Sequence, residues 1–260
     1  TCVNVRQIVS RVLKVLSFHI AGTYGEEPEQ LVNGTPTSIQ QNPHCVSLQR
    51  YGSHMCGCSL IQSQFCVTAA HCLTSIDSSW SILSGTTYLN SGGQRHQIAS
   101  VYIHPQYDRY AQGRASGYDI GLIKLATPIQ FNQNQQPIKL PTRDISSNDV
   151  VSVVAWGGMG YRQAVHNDLR KIEAKCMLPS MCQNYHSTTG LKIHSKEFCT
   201  LISQGIGTCN GDSGSGVVRK SDGAIVGLVS GGLPCARGYP DVKTNVYSFV
   251  PWIKSIVPGI

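Results

Sequence analysis

The sequence predicts an all-β protein with one short helix near its C-terminal end. Short apolar runs alternate with clusters of Asn, Gly, Ser and Pro, which is the pattern of strands joined by turns. Glycine occurs 26 times, as expected where many tight turns connect short strands. Beyond residue 30, a helical spacing of apolar residues first appears at 247–257, through Phe249, Trp252, Ile253 and Ile256.

Eight segments carry the strand pattern. Each is short and apolar, and each ends near residues that favour turns. The predicted strands are Cys45–Gln49, Cys58–Ile61, Phe65–Thr68, Ile120–Leu125, Val150–Ala155, Gly216–Arg219, Ala224–Ser230 and Asp241–Val246.

Composition limits the function classes. A chain of 260 residues forms one large domain or two small ones, and its 41% hydrophobic residues suffice for a sizeable core. The net charge of +7 suits a nucleic acid or a membrane surface, but Lys and Arg are scattered singly along the chain. No run of 18 uncharged apolar residues occurs. We therefore predict neither a nucleic acid nor a membrane as a partner.

The cysteines predict an oxidising, extracellular location. Eleven are present, and removing residues 1–30 removes Cys2 and leaves an even number. In residues 1–30, apolar residues recur at helical spacing, and a short apolar run spans 15–22. This pattern fits an amphipathic helix or the remains of a secretion signal. We interpret residues 1–30 as a leader and propeptide that ends in an exposed, cleavable acidic stretch at 26–30.

A zinc site is the main alternative for the clustered ligand residues Cys56, Cys58, Cys66, His71 and Cys72. Zinc ligands usually follow C-x2-4-C spacing with a second matching pair, and Cys56-x-Cys58 does not fit this rule. We predict no metal and no cofactor.

Three motifs carry the chemistry: Thr68-Ala69-Ala70-His71-Cys72, Asp119-Ile120-Gly121-Leu122 and Gly211-Asp212-Ser213-Gly214-Ser215. They supply a base, an orienting carboxylate and a hydroxyl nucleophile in the order His, Asp, Ser. In type, order and spacing they resemble the chymotrypsin-like serine proteases, and the resemblance covers the chain from about Leu31 to its C-terminus. It implies a protease domain at 31–260, built from two six-stranded antiparallel β-barrels with the active site between them. We place the seam between the barrels near Pro141–Asn148.

The resemblance also implies a role for each motif residue. A serine hydroxyl needs a base within hydrogen-bond reach, and that base needs an orienting carboxylate. Ser213 would be the nucleophile, His71 the general base and acid, and Asp119 the orienting group. The backbone N–H groups of Gly211 and Ser213 would form the oxyanion hole. Ser230 matches the family serine that hydrogen-bonds the orienting aspartate.

Activation by a proteolytic cut is a further implication. Leu31-Val32-Asn33-Gly34 stands where the family usually has Ile-Val-Gly-Gly, and the freed Leu31 ammonium would pair with Asp212. The preceding Gln30 does not suit a trypsin-like activating protease. Asn33-Gly34-Thr35 is also a glycosylation sequon.

Six cysteines match family disulfides: Cys56 with Cys72, Cys182 with Cys199, and Cys209 with Cys235. Each bridge would restrict the unfolded chain and stabilise the fold by typically ~2–4 kcal/mol. Cys45, Cys58, Cys66 and Cys176 are extra, and the sequence allows either an added bridge or buried free thiols. Cys58 stands where the family has Gly near the cleft, so we expect its side chain to crowd the site.

The predicted substrate pocket comprises Gly207, Ser230, Gly232, Asp241 and Lys243. Gly207 stands where trypsin-like members have Asp, which argues against a preference for Arg or Lys. Because alternate residues of a strand face the same side, Asp241 and Lys243 should point together. We expect Lys243 to enter the pocket and pair with Asp241, which would shrink and neutralise it. A salt bridge at a solvated rim is the alternative.

Two functions fit these observations. The first is a secreted serine endopeptidase, made as a zymogen, with non-tryptic or broad specificity. The second is a catalytically impaired paralogue that binds proteins as a decoy. A structural protein is a third class, which differs from the decoy only because it lacks a binding partner. The segment at 235–240 resembles arthropod digestive proteases, including the mite group 3 allergens. Expected partners of a monomer are protein or peptide substrates and protein inhibitors.

Overall fold

A computed structural model describes residues 31–110, 117–233 and 235–260, so the predicted leader lies outside the described residues. The N-terminal half contains a short strand followed by six longer ones. These are β1 (Thr35–Pro36), β2 (Cys45–Arg50), β3 (Ser53–Gln62), β4 (Phe65–Thr68), β5 (Trp80–Ser84), β6 (Gln94–Ile103) and β7 (Gly121–Leu125).

The first barrel is closed by six antiparallel strands in the order β2-β3-β4-β7-β6-β5. Its interior is filled by alternate strand residues that are almost fully buried, among them Leu48, Leu60, Ile82 and Ile123. Closure pairs every strand on both sides, so no exposed sheet edge remains to attract another chain.

The second barrel uses the C-terminal half of the chain. Its strands are β8 (Val150–Ala155), β9 (Arg170–Met177), β10 (Glu197–Leu201), β11 (Gly216–Arg219), β12 (Ile225–Gly231) and β13 (Asp241–Asn245). The sheet order is β1-β9-β10-β13-β12-β11-β8, and pairing of β8 with β9 closes the ring. The predicted pair of six-stranded barrels is confirmed, with β1 as an added strand beside β9.

Helices are few, as the sequence predicts. Helix α1 spans Pro179–Tyr185, and helix α2 spans Val250–Ile256 after a 3-10 turn at Val246–Phe249. The predicted C-terminal helix is therefore confirmed, although its first turn is tighter. Phe249 and Ile253 pack in one apolar cluster with residues of both barrels, which fixes the barrels against each other. Among the described residues, no helix has the length and hydrophobicity needed to cross a bilayer.

Candidate active site

His71 lies in a 3-10 helix, Ala70–Leu73, that begins two residues after β4 ends. The other three side chains of this turn are buried, whereas the His71 side chain is 34% exposed. A disulfide joins Cys72 of the turn to Cys56 of β3. The first barrel therefore anchors the turn and presents the imidazole to solvent.

Asp119 lies just before β7 and accepts three hydrogen bonds. Its Oδ1 accepts the His71 backbone N–H at 2.9 Å, while Oδ2 lies 2.7 Å from His71 Nδ1 and accepts the Ser230 hydroxyl at 2.6 Å. These contacts orient the imidazole and place a proton on Nδ1, which leaves Nε2 to act as a base. Burial alone lowers the pKa of His71, but the hydrogen bond and charge of Asp119 outweigh burial and raise that pKa above its ordinary value.

Ser213 borders the same cleft as this pair. Ser213 and Ser230 line one cavity, and Ser230 donates its hydroxyl proton to Asp119. The Ser213 carbonyl accepts the N–H of Gly57 in β3 at 2.8 Å, which ties the serine turn to the first barrel. Among the described residues, the Ser213 hydroxyl donates no hydrogen bond to His71. Such catalytic contacts often tighten only when substrate is bound.

The backbone on either side of Asp212 presents two N–H donors. Gly211 has φ +90°, and a Cβ there would lie 3.0 Å from Val165 Cγ1, so this conformation requires glycine. In the part of the chain that the structure describes, the N–H groups of Gly211 and Ser213 donate to no protein acceptor. Both donors are therefore available to a substrate oxygen, as an oxyanion hole requires.

His54 supports the Gly211 peptide, and sequence reasoning did not identify it. Its Nε2 lies 2.9 Å from the Gly211 carbonyl, and its Nδ1 lies 2.8 Å from Ser47 Oγ. Burial lowers the pKa of His54 to about 4, so the ring is neutral and can donate to Gly211 while accepting from Ser47. The only available signal was a polar residue inside an apolar strand, two positions before Cys56.

Asp212 is fully buried and holds the turn before Ser213. Its two oxygens accept the N–H groups of Gly157 at 2.9 Å and Cys209 at 2.7 Å. Burial raises the pKa of Asp212 to about 7, although those two bonds oppose the rise. Leu31 is also buried, but its backbone nitrogen donates to His166 Nε2 at 3.2 Å. The structure thus brings Leu31 into the second barrel without placing its nitrogen on Asp212.

A small cavity opens beside Ser213. Its volume is about 120 Å³, and its walls include the predicted residues Ser230, Gly232 and Asp241. Thr208, which sequence reasoning missed, also lines the cavity and donates its N–H to Asp241 Oδ2 at 2.8 Å. Its position next to Gly207 was the only sequence signal.

Two predicted pocket residues lie behind the cavity wall. A Cβ on Gly207 would lie 3.0 Å from Asp241 Oδ2, so the Asp241 carboxylate occupies the space next to Gly207. Lys243 is fully buried and does not line the cavity, which corrects the expectation that its side chain enters the pocket. Its Nζ lies 3.8 Å from Asp241 Oδ2 and donates to Thr208 Oγ1 at 3.1 Å. Burial lowers the pKa of Lys243, although the negative charges of Asp241 and Asp212 act in the other direction.

The solvated-rim alternative is wrong for this pair, because Asp241 and Lys243 are 6% and 0% exposed. Asp241 and Lys243 belong to β13, whose five residues are all buried between β10 and β12. The Lys243 ammonium and the Asp241 carboxylate therefore compensate each other's charge inside the protein.

The three predicted disulfides are present: Cys56–Cys72, Cys182–Cys199 and Cys209–Cys235. Although Cys56, Cys72 and His71 lie close enough to share a metal ion, the first two sulfurs are joined and offer no thiolate.

The four extra cysteines, Cys45, Cys58, Cys66 and Cys176, are buried free thiols. Cys58 packs inside the first barrel, where its thiol donates to the Val67 carbonyl at 3.2 Å. The expectation that Cys58 crowds the cleft is therefore wrong, because its side chain points into the barrel core.

Comparison with protein families identifies relatives of most of the chain. The family model for trypsin matches residues 31–253. Trypsin delta of Drosophila melanogaster is 33% identical over 229 residues, which cover 87% of this chain and 88% of the relative. Trypsin, alkaline C, of Manduca sexta is 30% identical over 254 residues, which cover 94% of this chain and 97% of the relative.

A solved structure shares the architecture. Neuropsin, a serine protease expressed in the limbic system of mouse brain, superposes with a TM-score of 0.77 at 27% sequence identity. The match covers 85% of this chain and 97% of neuropsin. Sequence and structural relatives therefore agree on one group of proteins.

Proposed function

Because the chain belongs to the trypsin family and is a serine endopeptidase, we propose that Ser213, His71 and Asp119 are its catalytic residues. The observation that carries the proposal is the Asp119 carboxylate, which binds both the backbone N–H and Nδ1 of His71. That arrangement fixes one imidazole tautomer and directs Nε2 away from the carboxylate.

The proposed reaction is acyl transfer from a peptide bond of a protein or peptide substrate. His71 Nε2 takes the Ser213 hydroxyl proton as Oγ bonds to the scissile carbonyl carbon, and it then gives that proton to the leaving amine. A water molecule releases the acyl group by the same steps. Asp119 stays ionised throughout and stabilises the imidazolium.

The negative charge on the substrate oxygen is stabilised by the N–H groups of Gly211 and Ser213. Their lack of protein acceptors within the described chain supports this role. The neutral His54 ring holds the Gly211 carbonyl and so keeps the neighbouring N–H groups in position.

We assign the cavity beside Ser213 to the substrate side chain before the cut bond. A volume of about 120 Å³ accepts one side chain of modest size. Asp241 borders this cavity, but Lys243 lies 3.8 Å behind its carboxylate and opposes its charge. The preferred side chain is therefore small and uncharged rather than Arg or Lys.

The enzyme is further proposed to be a secreted zymogen. Three disulfides support an oxidising compartment, and the buried Leu31 side chain supports a processed chain that starts at Leu31. The freed ammonium would approach Asp212, whose buried carboxylate has no cation within hydrogen-bond distance in the described chain. The monomeric state, protein inhibitors and the allergen kinship remain predictions.

Peptide hydrolysis by the chain that starts at Leu31 tests this function, with Ser213→Ala as the matched control. We expect cleavage after small neutral residues and none by the control. A folded, processed protein that binds peptides without cutting them would instead favour the impaired decoy.

A further inference from the structure

Glu197, the first residue of β10, places a buried carboxylate between two loops. The residue is 1% exposed. Its Oε1 accepts the Gly117 N–H at 3.0 Å, and its Oε2 accepts the His194 N–H at 2.7 Å. One carboxylate thus joins the backbone that leads to Asp119 to the backbone that leads into β10.

Burial makes the charge of the Glu197 carboxylate costly. Within the described residues, Glu197 forms no ion pair. Burial raises the pKa of Glu197 to about 7, its two backbone hydrogen bonds oppose the rise, and the nearby charge of Asp119 adds to it. A buried carboxylate without a cation costs free energy, and an apolar residue would avoid that cost. The carboxylate offsets this cost by accepting two backbone hydrogen bonds, which an apolar side chain cannot accept.

The backbone at Gly117 leaves little freedom at this contact. Gly117 has φ +70°, and a Cβ there would lie 2.3 Å from Cγ of the His194 ring. The Tyr118 ring in turn lies 5.4 Å from the His194 ring. Gly117 therefore packs directly against His194, the residue whose N–H Glu197 also binds.

The next strand fixes the other end of the same short segment. Thr244 of β13 pairs with Glu197 in the sheet, and its hydroxyl donates to the Asp119 carbonyl at 2.9 Å. Glu197 and Thr244, opposite each other in neighbouring strands, therefore bind Gly117 and Asp119 at the two ends of one three-residue stretch.

We propose that Glu197 is a positioning residue, which holds the backbone at Gly117 and thereby keeps the Asp119 carboxylate aimed at His71. The inference rests on the proposed function, because it assigns Asp119 its orienting role. The Asp119 carboxylate must match His71 N, His71 Nδ1 and Ser230 Oγ together. A shift at Gly117 moves it away from all three.

Glu197→Gln is the sharpest variant, since it keeps the shape of the side chain. The glutamine amide has one oxygen, which can accept only one of the two N–H groups of Gly117 and His194. Its NH2 group would face the other N–H, and two donors cannot form a hydrogen bond. We expect kcat, and the rate of Ser213 labelling by a fluorophosphonate, to fall about tenfold to a hundredfold, with KM changed less than about twofold. The proton NMR signal of His71 Nδ1–H should shift as its bond to Asp119 lengthens.

Two companions separate positioning from a general loss of structure. Glu173→Gln removes a carboxylate that is 38% exposed and should leave rates and the His71 signal unchanged. Glu197→Asp keeps the charge with a shorter reach and should recover part of the lost kcat. Amide exchange of the unsubstituted protein needs no variant, and it should show Gly117 strongly protected.

The outcomes are distinct. Equal labelling rates and an unmoved His71 signal in Glu197→Gln would overturn the inference and leave the proposed function intact. A Gly117 amide that exchanges as freely as an unbound loop amide would also overturn it. Absence of labelling in the processed parent protein would overturn the proposed function, and this inference with it.

Discussion

Lys243 Nζ lies 3.8 Å from Asp241 Oδ2, and of these two side chains only the carboxylate borders the cavity beside Ser213. The lysine is fully buried, so its charge acts on Asp241 through the protein rather than through water. We expect this pairing to keep the proposed substrate pocket from becoming anionic, although the Asp241 carboxylate forms part of its wall. We therefore predict that these two β13 residues determine the specificity of the enzyme.

Replacing both charges should open the pocket. In the double variant Asp241→Gly with Lys243→Tyr, the carboxylate and its buried partner are removed together, so neither of the two charges is left behind without the other. We expect a higher kcat/KM on peptides with apolar side chains before the cut bond, measured with a peptide library. Unchanged rates and preferences would show that the pair does not shape specificity.

Replacing Lys243 alone should have a different result. Lys243→Tyr leaves Asp241 buried without its cation, which should lower the free energy of unfolding by ~3–5 kcal/mol in urea denaturation. The surviving fraction should favour Arg or Lys substrates, since a substrate cation can then pair with Asp241. Wild-type stability together with wild-type preference would contradict the assigned role of Lys243.

Ser230→Ala should weaken the orienting carboxylate. The change removes one of three hydrogen bonds to Asp119, and a bond to a charged group is worth ~1.5–3 kcal/mol. We expect kcat to fall by roughly ten- to a hundredfold with a similar KM, as measured by steady-state hydrolysis. Ser221→Ala, in the turn after β11, is the matched control and should be neutral.

The pH profile should report His71. Only the neutral imidazole accepts a proton from Ser213, and Asp119 raises the pKa of His71 above 6.5. Activity should therefore fall as the pH drops through a value above 6.5. Asp119→Asn removes the causes of that rise, so the acid limb should move to lower pH while the plateau falls about ten-thousandfold. If the acid limb stays at the same pH in Asp119→Asn, a group other than His71 controls it.

Processing at Leu31 should change how stability depends on pH. In the uncut chain the pKa of Asp212 is about 7, above its ordinary 3.8, so the folded state binds this proton more tightly than the unfolded state. Its free energy of unfolding should therefore fall as the pH rises between these values. After the cut, the Leu31 ammonium near Asp212 should stabilise the ionised carboxylate, so the free energy of unfolding should no longer fall over this pH range. Activity should rise as well. N-terminal sequencing and urea denaturation at two pH values test this, and an active species that retains residues 1–30 would contradict it.

The resemblance of three local motifs to a known family predicted the two barrels, which the structure confirms, and named the candidate catalytic residues. Strands β1, β5, β6, β9 and β10 were not predicted, because the prediction relied on short apolar runs, whereas β1 has only two residues and the other four mix polar and apolar residues. In β9, exposed Glu173 and Lys175 alternate with buried Ile172, Ala174 and Cys176. Pairing with β8 and β10, rather than apolar content, makes this segment a strand.

Contacts between distant segments explain what sequence reasoning missed at the site. Strand alternation predicted that Asp241 and Lys243 point together, but not that the ammonium lies behind the wall. The support of Gly211 by His54 spans 157 residues, and that of Gly117 by Glu197 spans 80. Such contacts depend on how the two barrels pack, which no short motif encodes.

Stoichiometric labelling with a fluorophosphonate tests the central claim most directly, because the reagent bonds only to a serine activated by its base and oxyanion donors. Mass spectrometry of the chain that starts at Leu31 should find one adduct per molecule, on Ser213. His71→Ala and Ser213→Ala should remove it. A folded, correctly processed chain that takes up no label, or takes up the same label after Ser213→Ala, would contradict the account.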